Sequence, residues 1–143
     1  MVPTRAWVKA NMTIKMPSSR GCSFSVIGAI SERLGLVHAK VFKGSNDTNV
    51  FFEFIHEMVK KIKGEAVVYM DNYTVHHAKK VKEIFNVRIV QKFFPPYSCA
   101  LNPIERLWNL LKQKWRRKLI EKPNGMTEEE MKKELEKILS EIT

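Results

Sequence analysis

The order of apolar and polar positions predicts a chain that begins with strands and ends with helices. Four short runs rich in β-branched or small apolar residues predict strands, at 22–30, 36–44, 66–70 and 87–94. The polar segment 31–35 between the first two contains a glycine, which favours a hairpin. Residues 1–21 have no regular period because prolines, serines and a glycine interrupt them, so we expect an extended arm or a partial strand there.

Helical spacing of apolar residues predicts helices between and after these strands, at 50–63, 76–86, 103–122 and 127–142. Gly64 follows the first of them, which is a common C-terminal signal. In the long third helix we expect one apolar stripe to face inward, formed by Leu107, Leu110, Leu111, Trp115 and Leu119. A hairpin followed by alternating helices and strands predicts an α/β fold, with a mixed sheet flanked by helices.

Length and charge narrow the class of protein. A chain of 143 residues is of single-domain size, and its 44% hydrophobic content is too high for a disordered protein. Lys and Arg total 25 against 15 acidic residues, which gives a net charge of +10. This excess favours a polyanionic partner, nucleic acid first and an anionic membrane surface second. A ribosomal protein or a merely soluble basic protein is the alternative that composition leaves open.

The cysteines and the apolar runs bear on the compartment. Cys22 and Cys99 form no CxxC pair, so we expect neither a zinc site nor a disulfide framework. No apolar run approaches the length of a membrane span, and the first residues lack the core of a signal peptide. We therefore expect a protein of the reducing cytoplasm or nucleus, with no membrane partner.

Two acids stand at the ends of predicted elements and are the main candidates for chemistry. Asp71 follows the strand 66–70, and carboxyl ends of strands in open α/β sheets commonly bind ligands. Glu105 lies in the first turn of the long helix, where Asn102 is expected to cap and Pro103 suits the first helical position. The alternatives are purely structural roles: a capping-box role for Glu105 and a turn-capping role for Asp71.

Other polar residues are weaker candidates. Asn72 and His76 would orient a ligand or a phosphate, or His76 would simply cap the helix 76–86. Trp108 and Trp115 are seven residues apart and share a helix face, so we expect core residues rather than base-stacking platforms. Eight basic residues would follow a DNA backbone or form solvated helix faces: Lys79, Lys80, Lys82, Lys112, Lys114, Arg116, Arg117 and Lys118.

Several of these segments together resemble the catalytic core of Tc/mariner-type transposases, in the DDE superfamily of endonucleases with a ribonuclease H-like fold. The segments are Asp71-Asn72, His76, Pro95-Pro96-Tyr97-Ser98, Leu101-Asn102-Pro103-Ile104-Glu105, Trp108 and Leu111-Lys112. The resemblance implies DNA strand cleavage and strand transfer, with transposon ends and target DNA as partners. It also implies catalytic Asp71 and Glu105 that ligate Mg²⁺ or Mn²⁺, supported by Asn72, His76 and Asn102, and a homodimer is a further expectation.

The chain also departs from the family pattern. Cys99 and Ala100 stand where the family usually has proline and an acid, on a loop. The family's first catalytic Asp lies on a strand ahead of the region around Trp7, and the other aspartate here is Asp47, in a helix-capping loop. The resemblance therefore implies one domain over 1–143, incomplete at its N-terminus, that lacks its first strand and a DNA-binding helix-turn-helix. A single weakly held metal and impaired catalysis follow. An inactive nucleic-acid-binding remnant is the alternative, and a general nuclease is a weaker one.

Overall fold

The computed structural model of the protein describes residues 4–15 and 23–142. Five strands form one sheet: β1 Thr4–Lys15, β2 Ser23–Ser31, β3 Gly35–Lys43, β4 Ala66–Met70 and β5 Ile89–Phe93. The helices are α1 Thr48–Lys61, α2 Lys79–Lys82, α3 Ile104–Glu121 and α4 Glu128–Glu141, with 3-10 turns at Thr74–His77 and Cys99–Leu101. None of the helices described has both the length and the apolar character needed to cross a membrane.

The sheet is mixed, as the sequence predicted, and its strands lie in the order β3-β2-β1-β4-β5. The predicted hairpin is present, because β2 and β3 pair antiparallel across a short turn. Strand β2 also pairs antiparallel with β1, whereas β4 pairs parallel with both β1 and β5. The carboxyl ends of β4 and β5 therefore meet at one edge of the sheet.

The prediction that the sheet lacks its first strand needs correction, because β1 takes the central place. Trp7 pairs with Ile30 of β2 on one side and with Tyr69 of β4 on the other. Its partners come from distant parts of the chain, and β4 pairs with its first half, Thr4 to Val8, so the strand forms without a clear local period. The flanking residues 1–3 and 16–22, also part of the expected arm, lie outside the described residues.

Two apolar clusters cover the two faces of the sheet. Alternating residues of β2 face opposite sides: Phe24 and Val26 belong to the cluster under α3 and α4, and Ile27 and Ala29 to the one under α1. Trp108 and Trp115 are 2% and 3% exposed in the first cluster, which agrees with the predicted core role. The sheet is thus buried on both faces by helices.

Two helix predictions differ from the structure. The helix expected at 76–86 is a 3-10 turn followed by the single-turn α2, because the extended Ala78 (ψ 137°) separates them. Leu110, predicted to face inward, is 41% exposed. It lies two residues after Trp108, almost on the opposite side of a helix with 3.6 residues per turn. Sequence reasoning therefore overestimated the width of the apolar stripe on α3.

Candidate active site and basic surface

Asp71 follows β4 directly, and a buried histidine fixes its side chain. Nδ1 of His76 lies 2.9 Å from the backbone oxygen of Asp71 and 2.9 Å from its Oδ1. A carbonyl oxygen only accepts hydrogen bonds, so Nδ1 carries the proton and donates it. The His76 ring is fully buried and stacks on Phe51 at 4.3 Å between ring centroids. The Asp71 carboxylate, 25% exposed, is thereby held in one orientation.

Asn72 ties the ends of two neighbouring strands together. Its Nδ2 donates to the backbone oxygen of Phe94 at 2.7 Å, and the backbone N–H of Phe94 donates to Met70 at 2.8 Å. Nε2 of Gln91, on β5, donates to the backbone oxygen of His76 at 3.1 Å. These bonds fix the loop after β4 against the loop after β5. The structure thus gives Asn72 a role in holding the backbone around Asp71.

The start of α3 supplies the second acid. Pro103 stands at the N-cap of α3, one residue later than predicted, and Asn102 precedes it. Oδ1 of Asn102 accepts from the backbone N–H of Ile104 at 3.3 Å. Its carbonyl oxygen accepts from the backbone N–H of Glu105 at 3.2 Å. Asn102 is 3% exposed, and its Nδ2 has no hydrogen-bond partner in the described part of the chain. Glu105 therefore occupies a fixed position in the first turn.

One pocket of about 300 Å³ receives both acids. It opens between the loops that follow β4 and β5 and the start of α3, and its lining residues are Asp71, Asn72, Tyr73, Phe94, Pro95, Pro96, Tyr97, Ser98, Asn102 and Glu105. Asp71 and Glu105 are far apart in sequence, and the fold brings them to the same cavity. Sequence reasoning did not single out the aromatic lining, although the aromatic residues of the proline-containing segment 93–98 were a signal for it.

The donor set in this pocket fits one divalent metal better than two. Mg²⁺ takes one or two protein carboxylates and completes its shell with water and phosphate oxygens. Asp71 and Glu105 meet that requirement, but the described residues contain no group of three or more His, Cys, Asp or Glu side chains that could hold a metal. The central strand β1 contains neither Asp nor Glu. Val8 pairs with Met70, so Lys9 follows this last pair on β1 as Asp71 follows it on β4.

The predicted basic residues of α3 separate into two groups. Lys112 and Arg116 are seven and eleven residues after Glu105, which places them within about 20° of it around the helix axis. Both are exposed. They continue from the acidic pocket along α3, about 10 Å and about 16 Å from Glu105 at 1.5 Å per residue. We call Lys112 and Arg116 the basic stripe.

The other group faces α4 or points away from the pocket. Nζ of Lys114 lies 3.2 Å from Oε2 of Glu141, and Nζ of Lys118 lies 2.9 Å from Oε2 of Glu121 and 3.6 Å from Oε1 of Glu134. The Glu121 hydrogen bond raises the pKa of Lys118. Arg117 is exposed on a third side of the helix. Glutamates of α3 and α4 thus already hold Lys114 and Lys118.

The basic residues of α2 are not equivalent either. Lys80 bonds to Oδ1 of Asn49, and its Nζ lies 5.4 Å from the ring centroid of Phe52. Lys79 and Lys82 are exposed. The structure therefore ties Lys80 to α1 and leaves Lys79 and Lys82 on the surface, where they remain candidates for phosphate contacts.

The strand order and the helices on both faces of the sheet define a ribonuclease H-like α/β fold, and three solved structures share it. The simian T-cell lymphotropic virus intasome in complex with PP2A regulatory subunit B56 gamma matches at TM-score 0.70 and 13% identity, over 90% of this chain and 45% of that one. The Mos1 strand transfer complex matches at TM-score 0.63 and 11% identity, over 76% of this chain and 40% of that one. The HTLV-2 integrase catalytic core domain in complex with magnesium, in dimeric form, matches at TM-score 0.61 and 9% identity, over 94% of this chain and 84% of that one.

The sequence assigns the family. The profile of the DDE superfamily endonucleases matches residues 1–124, and the chain belongs to that family. It spans less than half the length of the intasome and Mos1 chains that it resembles. No curated protein sequence matches it. The sequence thus shows a DDE superfamily endonuclease, and the three solved structures share its fold.

Proposed function

We propose that this chain is the catalytic domain of a Tc/mariner-type transposase, a metal-dependent enzyme of DNA strand cleavage and strand transfer. The observation that carries the proposal is the common pocket of Asp71 and Glu105, at the carboxyl edge of the sheet and the start of α3. Family membership and the fold shared with the Mos1 strand transfer complex support it. The proposed partners are transposon ends and target DNA, inside the cell and without a membrane.

In this proposal each residue of the site has a distinct task. Asp71 and Glu105 hold Mg²⁺ or Mn²⁺, which when bound polarises a phosphodiester and activates the attacking oxygen. His76 is a positioning residue, because it contacts Asp71 and lies buried beneath it. Asn72 and Asn102 fix the backbone from which the acids project. The basic stripe and the exposed Lys79 and Lys82 contact phosphates of the DNA backbone without reading its sequence.

We further propose that catalysis is severely impaired in this chain by itself. Two-metal chemistry needs carboxylates for both ions, and the strand beside Asp71 offers none. The second candidate function, an inactive nucleic-acid-binding remnant, is favoured by the same observation together with the exposed basic stripe. A homodimer remains part of the proposal and draws support from the dimeric form of the HTLV-2 core.

Metal binding tests the central assignment. Mn²⁺ titrations followed by water-proton relaxation are to be made on the chain and on Asp71→Asn and Glu105→Gln, with Glu129→Gln on exposed α4 as the matched control. We expect the two site variants to lose most of the relaxation enhancement and the control to keep it. Equal binding by all four proteins, or none by any, would reject the metal site and leave the remnant hypothesis.

A gain of metal affinity tests the proposed cause of the impaired catalysis, the missing carboxylate on β1. Adding a carboxylate to β1 at the level of Asp71 should supply a further ligand. The register of β1 against β2 shifts between Lys9 and Met12, so two neighbouring positions are needed to reach the correct face. Lys9→Asp and Ala10→Asp are therefore compared. We expect one of them to bind Mn²⁺ more tightly than the unmodified chain and the other to leave the affinity unchanged. If neither gains affinity, a missing carboxylate on β1 does not limit metal binding.

A further inference from the structure

Strand β3 lies at the edge of the sheet, at the opposite end of the strand order from β4 and β5. In the described part of the chain its backbone pairs with β2 alone, so one row of its N–H and C=O groups has no strand partner there. A groove of about 570 Å³ follows this edge, and residues 36–41 of β3 all line it. Consecutive strand residues face opposite sides of a sheet, so a cavity lined by all six lies at the edge itself. We call this cavity the β3 groove.

Two helices form the walls of the β3 groove. Lys61, the last residue of α1, lies on one side, and Lys132, Glu136, Leu139 and Ser140 of α4 lie on the other. The edge is therefore set back between helices that cover opposite faces of the sheet. In a second copy the edge would be set back in the same way, so the helices would meet before the two strands came within about 4.8 Å, the spacing of paired strands. A single extended segment thus fits the groove better than another folded copy.

The lysines of β3 do not obstruct the groove, because both are turned onto a helix. Lysine on an edge strand commonly blocks the addition of a further strand. Here Nζ of Lys40 lies 3.0 Å from Oε2 of Glu53 and 3.5 Å from Oε1 of Glu57, both on α1. Nζ of Lys43 lies 2.8 Å from Oε2 of Glu128 on α4. These ion pairs hold the two side chains against the walls and leave the groove along the backbone open.

The side of the groove next to α1 is polar and basic. The His38 ring stacks on Phe54 of α1 at 5.0 Å between ring centroids, and its Nδ1 lies 2.8 Å from Nζ of Lys61. Burial lowers the pKa of His38 below its ordinary value of 6.5, so at pH 7 the ring is neutral and does not compensate the charge of Lys61. Lys40 is the second cation on this side, and no glutamate of α1 is among the described residues that line the groove. Carboxylates of a bound segment would complement this side.

The side of the groove next to α4 is apolar at its base. Leu36 and Ala39 are half-buried against the apolar cluster under α3 and α4, and Val41 and Leu139 belong to that cluster. Apolar side chains of a bound segment would remove Leu36 and Ala39 from water, which is favourable. Since side chains alternate between the two faces of a strand, the groove as a whole matches a strand in which acidic and apolar residues alternate.

We propose that the β3 groove binds an extended segment of another protein as a sixth strand of the sheet, with its acidic side chains toward α1 and its apolar side chains toward α4. Main-chain hydrogen bonds to the β3 edge supply affinity in this mode of recognition, and the alternating side chains supply specificity. The groove and the pocket of Asp71 and Glu105 lie at different edges of the sheet, so a partner bound at β3 leaves the pocket accessible. The inference is therefore independent of the proposed function.

The test uses the full chain and a short fluorescein-labelled peptide in which valine and glutamate alternate. A peptide of the same composition, with all valines in one block and all glutamates in the other, is the control for charge. Anisotropy reports binding, and amide hydrogen exchange within residues 36–41 reports hydrogen bonding to the β3 edge. We expect the alternating peptide to bind about tenfold more tightly than the block peptide, as the gain of one or two hydrogen bonds would give, and to slow that exchange. Equal binding of the two peptides, or unchanged exchange, would overturn the proposal.

A matched pair of charge reversals locates the binding site. Lys61→Glu should weaken binding of the alternating peptide about tenfold, because an attraction is replaced by a repulsion of similar size. Lys60→Glu makes the same change at the neighbouring exposed lysine, which does not line the groove, and should keep the affinity. Equal losses in the two variants would show that the peptide binds the basic surface without using the groove, and would reject the site.

A steric variant separates the peptide from a second copy of the chain. Ser140→Trp places a large ring in the groove from the exposed side of α4, so we expect lost peptide binding at an unchanged melting temperature. Analytical ultracentrifugation of the unmodified chain is the companion measurement. Peptide binding retained by Ser140→Trp would overturn the proposal. A dimer that Ser140→Trp converts to a monomer would overturn it as well and assign the groove to a second copy.

Discussion

Nδ1 of His76 donates to the backbone oxygen of Asp71 at 2.9 Å from a fully buried position, and it also lies 2.9 Å from Oδ1 of the same residue. The sequence left open whether this histidine orients a ligand or caps a helix. In the structure it does not itself line the pocket, and it contacts Asp71 and Tyr73, which do. A metal ligand whose own orientation is fixed in this way needs less ordering when the ion binds.

His76→Phe should weaken Mn²⁺ binding about tenfold, as expected for loss of a group that orients a ligand, since such losses cost about 10- to 100-fold. Phenylalanine preserves the stacking on Phe51 and removes the donor to Asp71. Water-proton relaxation gives the affinity, and circular dichroism checks the fold. His77→Phe, which changes an exposed ring stacked on Phe93, is the control and should bind normally. Equal affinity in both variants would show that Asp71 does not depend on His76.

The basic residues of α3 should differ in their effect on DNA binding. Each phosphate contact lowers the slope of log affinity against log salt by about 0.7 on single strands and about 0.9 on duplex DNA. Lys112→Ala and Arg116→Ala should each reduce the magnitude of the slope by about that amount. Lys114→Ala should leave the slope unchanged, because Glu141 already engages this lysine. Anisotropy titrations at several salt concentrations measure the slopes. Equal slopes for the three variants would refute the distinction between the basic stripe and Lys114.

Gly28 should not tolerate a side chain. A Cβ there would lie 2.8 Å from Cη2 of Trp108, a ring that is 2% exposed and cannot retreat. Gly28→Ala should lower the free energy of unfolding by about 1–3 kcal/mol through overpacking. Urea denaturation measures it. Trp108→Phe removes the clashing atom, so the double variant should lose less than the sum of the single losses. Additive losses of unfolding free energy would mean that a Cβ at position 28 does not clash with the Trp108 ring.

Acidification should destabilise the chain through His38. Burial, followed by the Lys61 charge and opposed by Glu57, lowers the pKa of His38 below its ordinary value of 6.5. The unfolded chain therefore binds this proton at a higher pH than the folded chain. Stability is lost as pH falls below about 6.5 and levels off below the folded-state pKa. The neutral ring accepts from Lys61 at Nδ1 and donates to Glu57 at Nε2.

Melting temperatures between pH 7 and pH 5 check this expectation. His38→Gln should flatten the decline over that interval, because glutamine does not titrate. His56→Gln, on the exposed side of α1, serves as the reference and should retain the decline of the unmodified chain. A decline that persists in His38→Gln would assign the pH dependence to other groups.

The parts of the fold that sequence predicted well are those fixed by neighbours in the chain. The strand 66–70 matches β4, and the turn at 31–35 produces the hairpin, since local pattern determines both. The central position of β1 depends on strands far away in sequence, and no local period indicates it. Similarly, an extended Ala78 interrupts the predicted helix 76–86. Local propensity cannot report such tertiary choices.

The same distinction applies to the site. The positions of Asp71 at a strand end and of Glu105 in a first helical turn were predictable, because short segments of sequence determine both. The pairing of Lys114 and Lys118 with glutamates could not be predicted from the sequence, because Glu141 and Glu134 come from a different helix, α4. The left-handed backbone of Tyr97 and the unpartnered amide of Asn102 are likewise properties of the assembled pocket.

The glutamates of α4 make the distribution of positive charge on the molecule asymmetric. By neutralising one side of α3 and leaving Lys112 and Arg116 exposed on the other, they turn a uniform excess of +10 into an electric dipole moment. In the field of a polyanion such a molecule experiences a torque before any contact is made. It would rotate as it approaches, so that collisions occur with the acid-bearing pocket already turned toward the strand.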